Sequence, residues 1–204
     1  FFNKFEKVSK SNNSIIIGGY GTRGTNSGGL GSAIVGGRNP QLAGNANFVA
    51  GQFGSNIGGE NNGMVGGRGN NISAGEYSFI GGGRSCSTST FNSGILAGEG
   101  NSITTSTHAA IIAGRSNSIT SRFDNAIVAG NSNTNAARYG VVVGGQNNQL
   151  QNGSQRGVIV GGVGNTLNEG LQSAIIGGSG GEIGLTWNSV NVAPYSSGIY
   201  HDQT

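Results

Sequence analysis

Two large apolar residues, then a small residue, then glycine: this motif recurs through the chain about every sixteen residues, and no other feature restricts the fold as much. Anchored on the last residue, the copies end at Gly19, Gly37, Gly51, Gly67, Gly82, Gly98, Gly114, Gly130, Gly145, Gly162 and Gly178. Their spacings run from 14 to 18 residues, and most are 15 or 16. Paired apolar residues stand three and two places before every anchor, as in Ile34-Val35, Ile111-Ile112, Ile127-Val128, Val142-Val143, Ile159-Val160 and Ile175-Ile176. A second signal follows the anchor. Asn70, Asn101, Asn117, Asn133, Asn148 and Asn165 lie three places after it, and Leu42, Ile72, Ile103, Ile119, Leu150, Leu167 and Ile183 lie five places after it. Repetition at a fixed period is the signature of a stacked architecture.

The repeat is not helical. Glycine in a helix interior costs about 1 kcal/mol per residue, and Gly is 42 of 204 residues here. The apolar pairs also do not recur at three and four places. Short β-branched strands broken by Gly and Asn fit instead. One unit then holds a strand, a turn, a second strand and a second turn. Stacked in parallel, such units make an all-β parallel solenoid of about sixteen residues per turn and about eleven turns. Asn suits a turn repeated at every level, because it tolerates left-handed backbone and bonds its own main chain. Stacked Asn amides also bond along the axis.

Adjacent strand residues point to opposite faces, so each apolar pair sends one side chain into the coil and one out. Each buried side chain is worth roughly 1.5–3 kcal/mol, and monomers rarely expose a continuous apolar stripe. The second stripe is therefore expected to pack against further copies of the chain. A cyclic assembly closes such a stripe without a free face, and three copies about an axis are expected.

The boxes "SAIVGG", "AAIIAG", "NAIVAG" and "SAIIGG", each followed by an Asn or Ser turn and an Ile or Leu, resemble the head repeats of YadA-like trimeric autotransporter adhesins. They are also similar to Gly/Asn-rich repeats in fibre proteins of phages and large DNA viruses. The resemblance covers residues 14 to 183. It implies a left-handed β-roll, a homotrimer, and a place on a cell surface, as an outer-membrane adhesin, or on a virion surface. The unit here is longer and less regular than in the bacterial heads, and Cys86 is unusual for them.

Composition bounds the function. The net charge is +3 and only 9% of residues are charged, with no basic cluster for nucleic acid. No apolar run is long enough to enter a membrane as a helix. No cofactor motif is present, and His108 and His201 have no partners at metal-ligand spacing. Glu60 and Glu76 are expected to stack as a solvated edge rather than as a hydrolytic pair.

Two columns are candidates for contact with a receptor, a host glycan or protein: Arg38, Arg68, Arg84 and Arg115, interrupted by Gln52 and Glu99, and Phe91, Phe123 and Tyr139. Arg and aromatic side chains together serve such contacts, and they equally serve as a solvated edge and as filling between chains. The expected function is a non-enzymatic segment of a trimeric surface fibre that mediates attachment to a host. The alternatives are a structural spacer in such a fibre, or a carbohydrate-active or ice-binding solenoid. Residues 1–13 read as a lead-in from a longer chain, residues 14–183 as the roll, and residues 184–204 as a cap or the start of a next domain. Trp187 is expected to cover the end of the roll or to pack at the trimer axis.

Overall fold

A computed structural model describes residues 15–18, 20, 23–24, 30–121, 123–193 and 195–199; the expected lead-in, 1–13, lies outside them. The fold is all-β, a parallel β-solenoid of about ten turns with a repeat near sixteen residues, and the described residues contain no helix. The chain forms two compact units, residues 1–100 and 101–204.

In the first unit, one sheet stacks Ile15–Ile17, Ala33–Val35, Phe48–Ala50, Gly63–Val65, Phe79–Ile80 and Gly94–Ile95 in parallel. The other stacks Arg23–Gly24, Gln41–Leu42, Asn56–Ile57, Asn71–Ile72 and Ser87–Thr88. The second unit repeats the plan. Its first sheet holds Ala109–Ile111, Asn125–Ile127, Val141–Val142, Val158–Val160, Ala174–Ile176 and Val190–Val192. Its second sheet holds Ser102–Ile103, Ser118–Ile119, Thr134–Asn135, Gln149–Leu150, Thr166–Leu167, Glu182–Ile183 and Gly198–Ile199.

Strands this short cannot bury a core alone; they do so as columns. Ile34, Val49, Met64, Ile80 and Ile95 face Leu42, Ile57, Ile72 and Thr88 inside the first unit, all buried. In the second unit Ile111, Ile127, Val142, Ile159 and Ile175 share the interior with Ile103, Ile119, Leu150, Leu167 and Ile183. The partners of these pairs turn outward: Ile111 is 1% exposed and Ile112 is 46% exposed.

The true register differs from the anchors at two levels. Ile34 pairs with Val49, and Met64 pairs with Ile80. The residues equivalent to Gly37 and Gly67 are therefore Gln52 and Gly83, not Gly51 and Gly82. Backbone explains the shift. Gly67, Gly83, Gly98, Gly114 and Gly130 share a left-handed φ of 97–110°, whereas φ of Gly51 is 59°. At these two levels the inward residue is the second of the pair, and Phe48 and Phe79 point out.

Asn of the third place forms a ladder along the second unit, whereas in the first unit Asn70 alone holds that place, between Ser55 and Cys86. Asn133 Nδ2 donates to Gly145 O at 3.0 Å and to Ala129 O at 3.3 Å, and its Oδ1 accepts from Asn148 N at 3.0 Å. Asn117, Asn148 and Asn165 repeat the pattern. The left-handed residue of the turn is the one before, as at Ser116, Ser132 and Asn147. The ladder residue is thus a buried bonding group, and its neighbour takes the turn. At the level of Gln52 the roles are exchanged: Ser55 fills the Asn place, and the Gln52 amide bonds Gly66 O while accepting from Ser55 Oγ at 2.8 Å. A second ladder of Asn47, Asn62 and Ser78 lines the opposite corner of the first unit. Buried donors and acceptors left without partners cost about 1–3 kcal/mol each. Asn133→Ala strands the Asn148 amide, while the Gly145 carbonyl keeps its bond from Asn131 N, so it is expected to cost roughly 1–3 kcal/mol, read as a lowered denaturant midpoint with an unchanged slope.

The C-terminal segment does not leave the roll at residue 184. Val190–Val192 and Gly198–Ile199 extend the two sheets by a further level. The level escapes the apolar-pair pattern because Asn191 occupies the inward place, paired with Ile175. Its amide nitrogen is buried without a hydrogen-bond partner. Trp187 does not cover an end: it sits on a corner, bridged to Leu171, and is 76% exposed.

Candidate functional site

The residues expected to meet a partner lie on the corners, where each coil turns between its sheets. In the first unit, parallel bridges link Tyr20, Arg38, Phe53, Arg68, Arg84 and Glu99 into one column. Phe53 stands where Gln52 was expected, as the corrected register requires. The Arg38 guanidinium carbon lies 5.6 Å from the Tyr20 ring centroid and 5.3 Å from that of Phe53, and the Arg68 carbon lies 5.2 Å from Phe53. Two cations therefore flank one ring, each attracted to its negative face. Arg84 is ion-paired with Glu99 at the surface, a contact worth little in itself. Arg115 belongs to the second unit, where the same corner carries Asn131, Gln146, Val163, Ser179 and Tyr195. The structure thus brings Arg38, Arg68 and Arg84 together and adds no arginine beside Arg115 on that corner of its own unit.

The opposite corner holds the aromatic candidates. In the first unit Glu60 and Glu76 stack there as expected, Asn45 Nδ2 donating to Glu60 Oε1 at 2.8 Å. Phe91 stands at the following level. In the second unit Phe123 and Tyr139 are not equivalent, because Ala126 pairs with Val141, which matches Phe123 to Arg138. Tyr139 is the left-handed corner residue, with φ of 62°. The two rings nevertheless meet, with centroids 5.5 Å apart and tilted by 45°. Arg138 lies over both, 4.2 Å from the Phe123 centroid and 5.7 Å from the Tyr139 centroid.

Loop length makes a recess here. Between the second-sheet strand and this corner the chain spends three residues after Ile119, two after Asn135 and four after Leu150. The coil of Arg138 is set back between a longer neighbour and one longer still. The result is a groove of about 630 Å³, lined by Thr105, Thr120, Ser121, Phe123, Ala136, Arg138, Asn152 and Gln155. Thr105 Oγ1 donates to Thr120 O at 2.8 Å and fixes one wall. On the other side a turn at Asn152 and Gly153 carries the extra residue. Of these lining residues only Phe123 was expected from the sequence. The signal was present in the anchor spacing, which falls to 15 from Gly130 to Gly145 and rises to 17 from Gly145 to Gly162.

A third surface is the outer face of the first sheet. In the first unit Phe48, Val65, Phe79 and Leu96 are exposed, and in the second Ile112, Val143, Val160 and Ile176. Large and small residues alternate between its two columns: Phe48 is followed by Ala50, Gly63 by Val65, Phe79 by Gly81 and Gly94 by Leu96. The Phe79 ring leans over Gly63, where an added Cβ would lie 3.0 Å from it. Each of these levels of the first unit so presents one large apolar group, while in the second unit Val141 with Val143 and Val158 with Val160 present two.

No family model matches the chain, and no curated protein matches it. Among solved structures it is similar to the polySia specific acetyltransferase NeuO at 12% identity, over 95% of this chain and 81% of that one. The TM-score is 0.16, and such a superposition carries no argument about fold or function.

Proposed function

We propose that this chain is a non-enzymatic segment of a homotrimeric surface fibre, of the YadA-like or viral kind, that attaches to a host receptor. The observation that carries the reading is the outer face of the first sheet. It is apolar at level after level, and its period is that of the coil itself. A surface of another protein would match such a row at one level and miss at the next. A second copy of this chain has the same period and matches at all of them. The small residues Gly63, Gly81 and Gly94 admit close backbone approach. Closure by three copies leaves no such face free. The corners stand outside this face, and there Arg38, Phe53, Arg68 and Arg138 offer cations and rings to a receptor of a cell or virion host.

Sedimentation equilibrium tests the assembly. The expected mass is three times 20.4 kDa, independent of concentration across the micromolar range. A mass of 20.4 kDa would overturn the trimer. Binding of the assembled chain to host-cell surfaces or arrayed glycans supports attachment, and a trimer that binds neither is a structural spacer.

A further inference from the structure

We infer that the groove beside Arg138 is a binding site for a carboxylate-bearing sugar of an acidic glycan. The inference rests on the attachment reading and names the ligand class for it.

The argument starts with the guanidinium. One side of it is occupied, because Phe123 and Tyr139 hold the Arg138 carbon 4.2 and 5.7 Å from their centroids. Its edge is not: the side chain is exposed, and no carboxylate, carbonyl or hydroxyl of the described residues accepts from it. An arginine stacked on rings has already lost much of its rotamer freedom, so little more is lost when it binds. Its N–H fork then matches a planar carboxylate through two parallel bonds.

The rest of the groove selects a sugar. Thr120, Asn152 and Gln155 are exposed around the same recess, and hydroxyl and amide groups both donate and accept. A polyol needs that mixture. A peptide would need a deep apolar pocket or a free strand edge, and the recess has neither. Its apolar lining is Phe123 and Ala136, and the strands to either side are paired on both edges. The volume of about 630 Å³ falls within the range of small-molecule sites.

The recess is also built into the backbone. It comes from a two-residue connection beside a four-residue one, while the buried columns continue past both. The exposed arginine stands at the shortest such connection of its unit, beside two rings that touch each other.

The test uses the whole chain and two probes, sialyllactose and trigalacturonate, titrated by calorimetry or ligand-observed NMR. At least one should bind with a Kd at or below the millimolar range. Methyl-esterifying its carboxylates should weaken binding at least tenfold, without touching the protein. Arg138→Ala should do the same, and Arg138→Lys should recover only part, since an ammonium is a point charge. Gln146→Ala, on the other corner of the same unit, should leave binding unchanged. Each variant is checked for the wild-type circular dichroism and sedimenting mass. Failure of both acid probes, equal binding of acid and ester, or equal binding of an oligoglutamate peptide would overturn the site. So would a change of mass in Arg138→Ala, which would place Arg138 against a second copy. If the wild type sediments as a trimer but binds neither probe, the groove inference fails alone. If it sediments as a monomer, the assembly fails whether or not sugar binds.

Discussion

Ile111→Asp should abolish folding, while Ile112→Asp should leave a folded chain that no longer assembles. The two residues are neighbours of one chemical type. Ile111 is 1% exposed, packed in a column with Ile127. A carboxylate there is an unpaired charge in an apolar interior, which costs several kcal/mol on top of about 1.5–3 kcal/mol of lost burial. That sum rivals the whole stability of a domain, about 5–15 kcal/mol. Ile112 is 46% exposed in the single chain, where an aspartate stays hydrated. In a trimer three such charges would meet on an apolar seam. Circular dichroism and sedimentation separate the outcomes: loss of β signal for the first variant, and a β signal with a mass of 20.4 kDa for the second. If both variants fold and assemble, neither face is buried in the working molecule.

Gly144→Ala and Gly145→Ala should differ as sharply, though the positions are adjacent. Gly144 has ordinary backbone, and an added Cβ would meet nothing within 4 Å. Its equivalents in the three preceding copies of the motif are already alanine: Ala97, Ala113 and Ala129. Replacing it removes freedom from the unfolded chain and is expected to stabilise by about 0.4–1 kcal/mol. Gly145 has φ of 85°, and a Cβ there would press on the Gly162 carbonyl and lie 2.5 Å from the Asn148 amide nitrogen. Strained backbone costs about 1–3 kcal/mol. Displacing Asn148 also breaks its bonds to Gly144 O and Gly162 O, a further ~1–3 kcal/mol. Thermal melts should show Gly144→Ala at or above the wild type and Gly145→Ala lower by on the order of 10 °C. Equal melting would mean that the anchor glycine is a matter of composition, not of geometry.

The sequence by itself determined the period, the class and the division of each apolar pair between two faces. Those follow from chemistry repeated at every level: a β-branched pair that cannot have both members inside, and a glycine where the next coil comes too close for a side chain. It did not determine register at two levels, those of Gly51, which Gln52 follows, and of Gly82, the middle of three glycines. At Gly51 and Gly82 either reading preserves one residue in and one out, and only the pairing of Ile34 with Val49 and of Met64 with Ile80 decides. Nor did the pattern reach the level of Val190–Val192, because Asn191 breaks the apolar pair while backbone pairing, blind to side chains, carries on. The groove is the clearest case of what only tertiary structure decides. A fixed period of sixteen puts Phe123 and Tyr139 in one column and leaves Arg138 out of it, whereas strand pairing sets Arg138 level with Phe123. A connection one residue short next to one that is a residue long sets them around one recess, because strand pairing holds the coils in step and leaves the loops to absorb the difference.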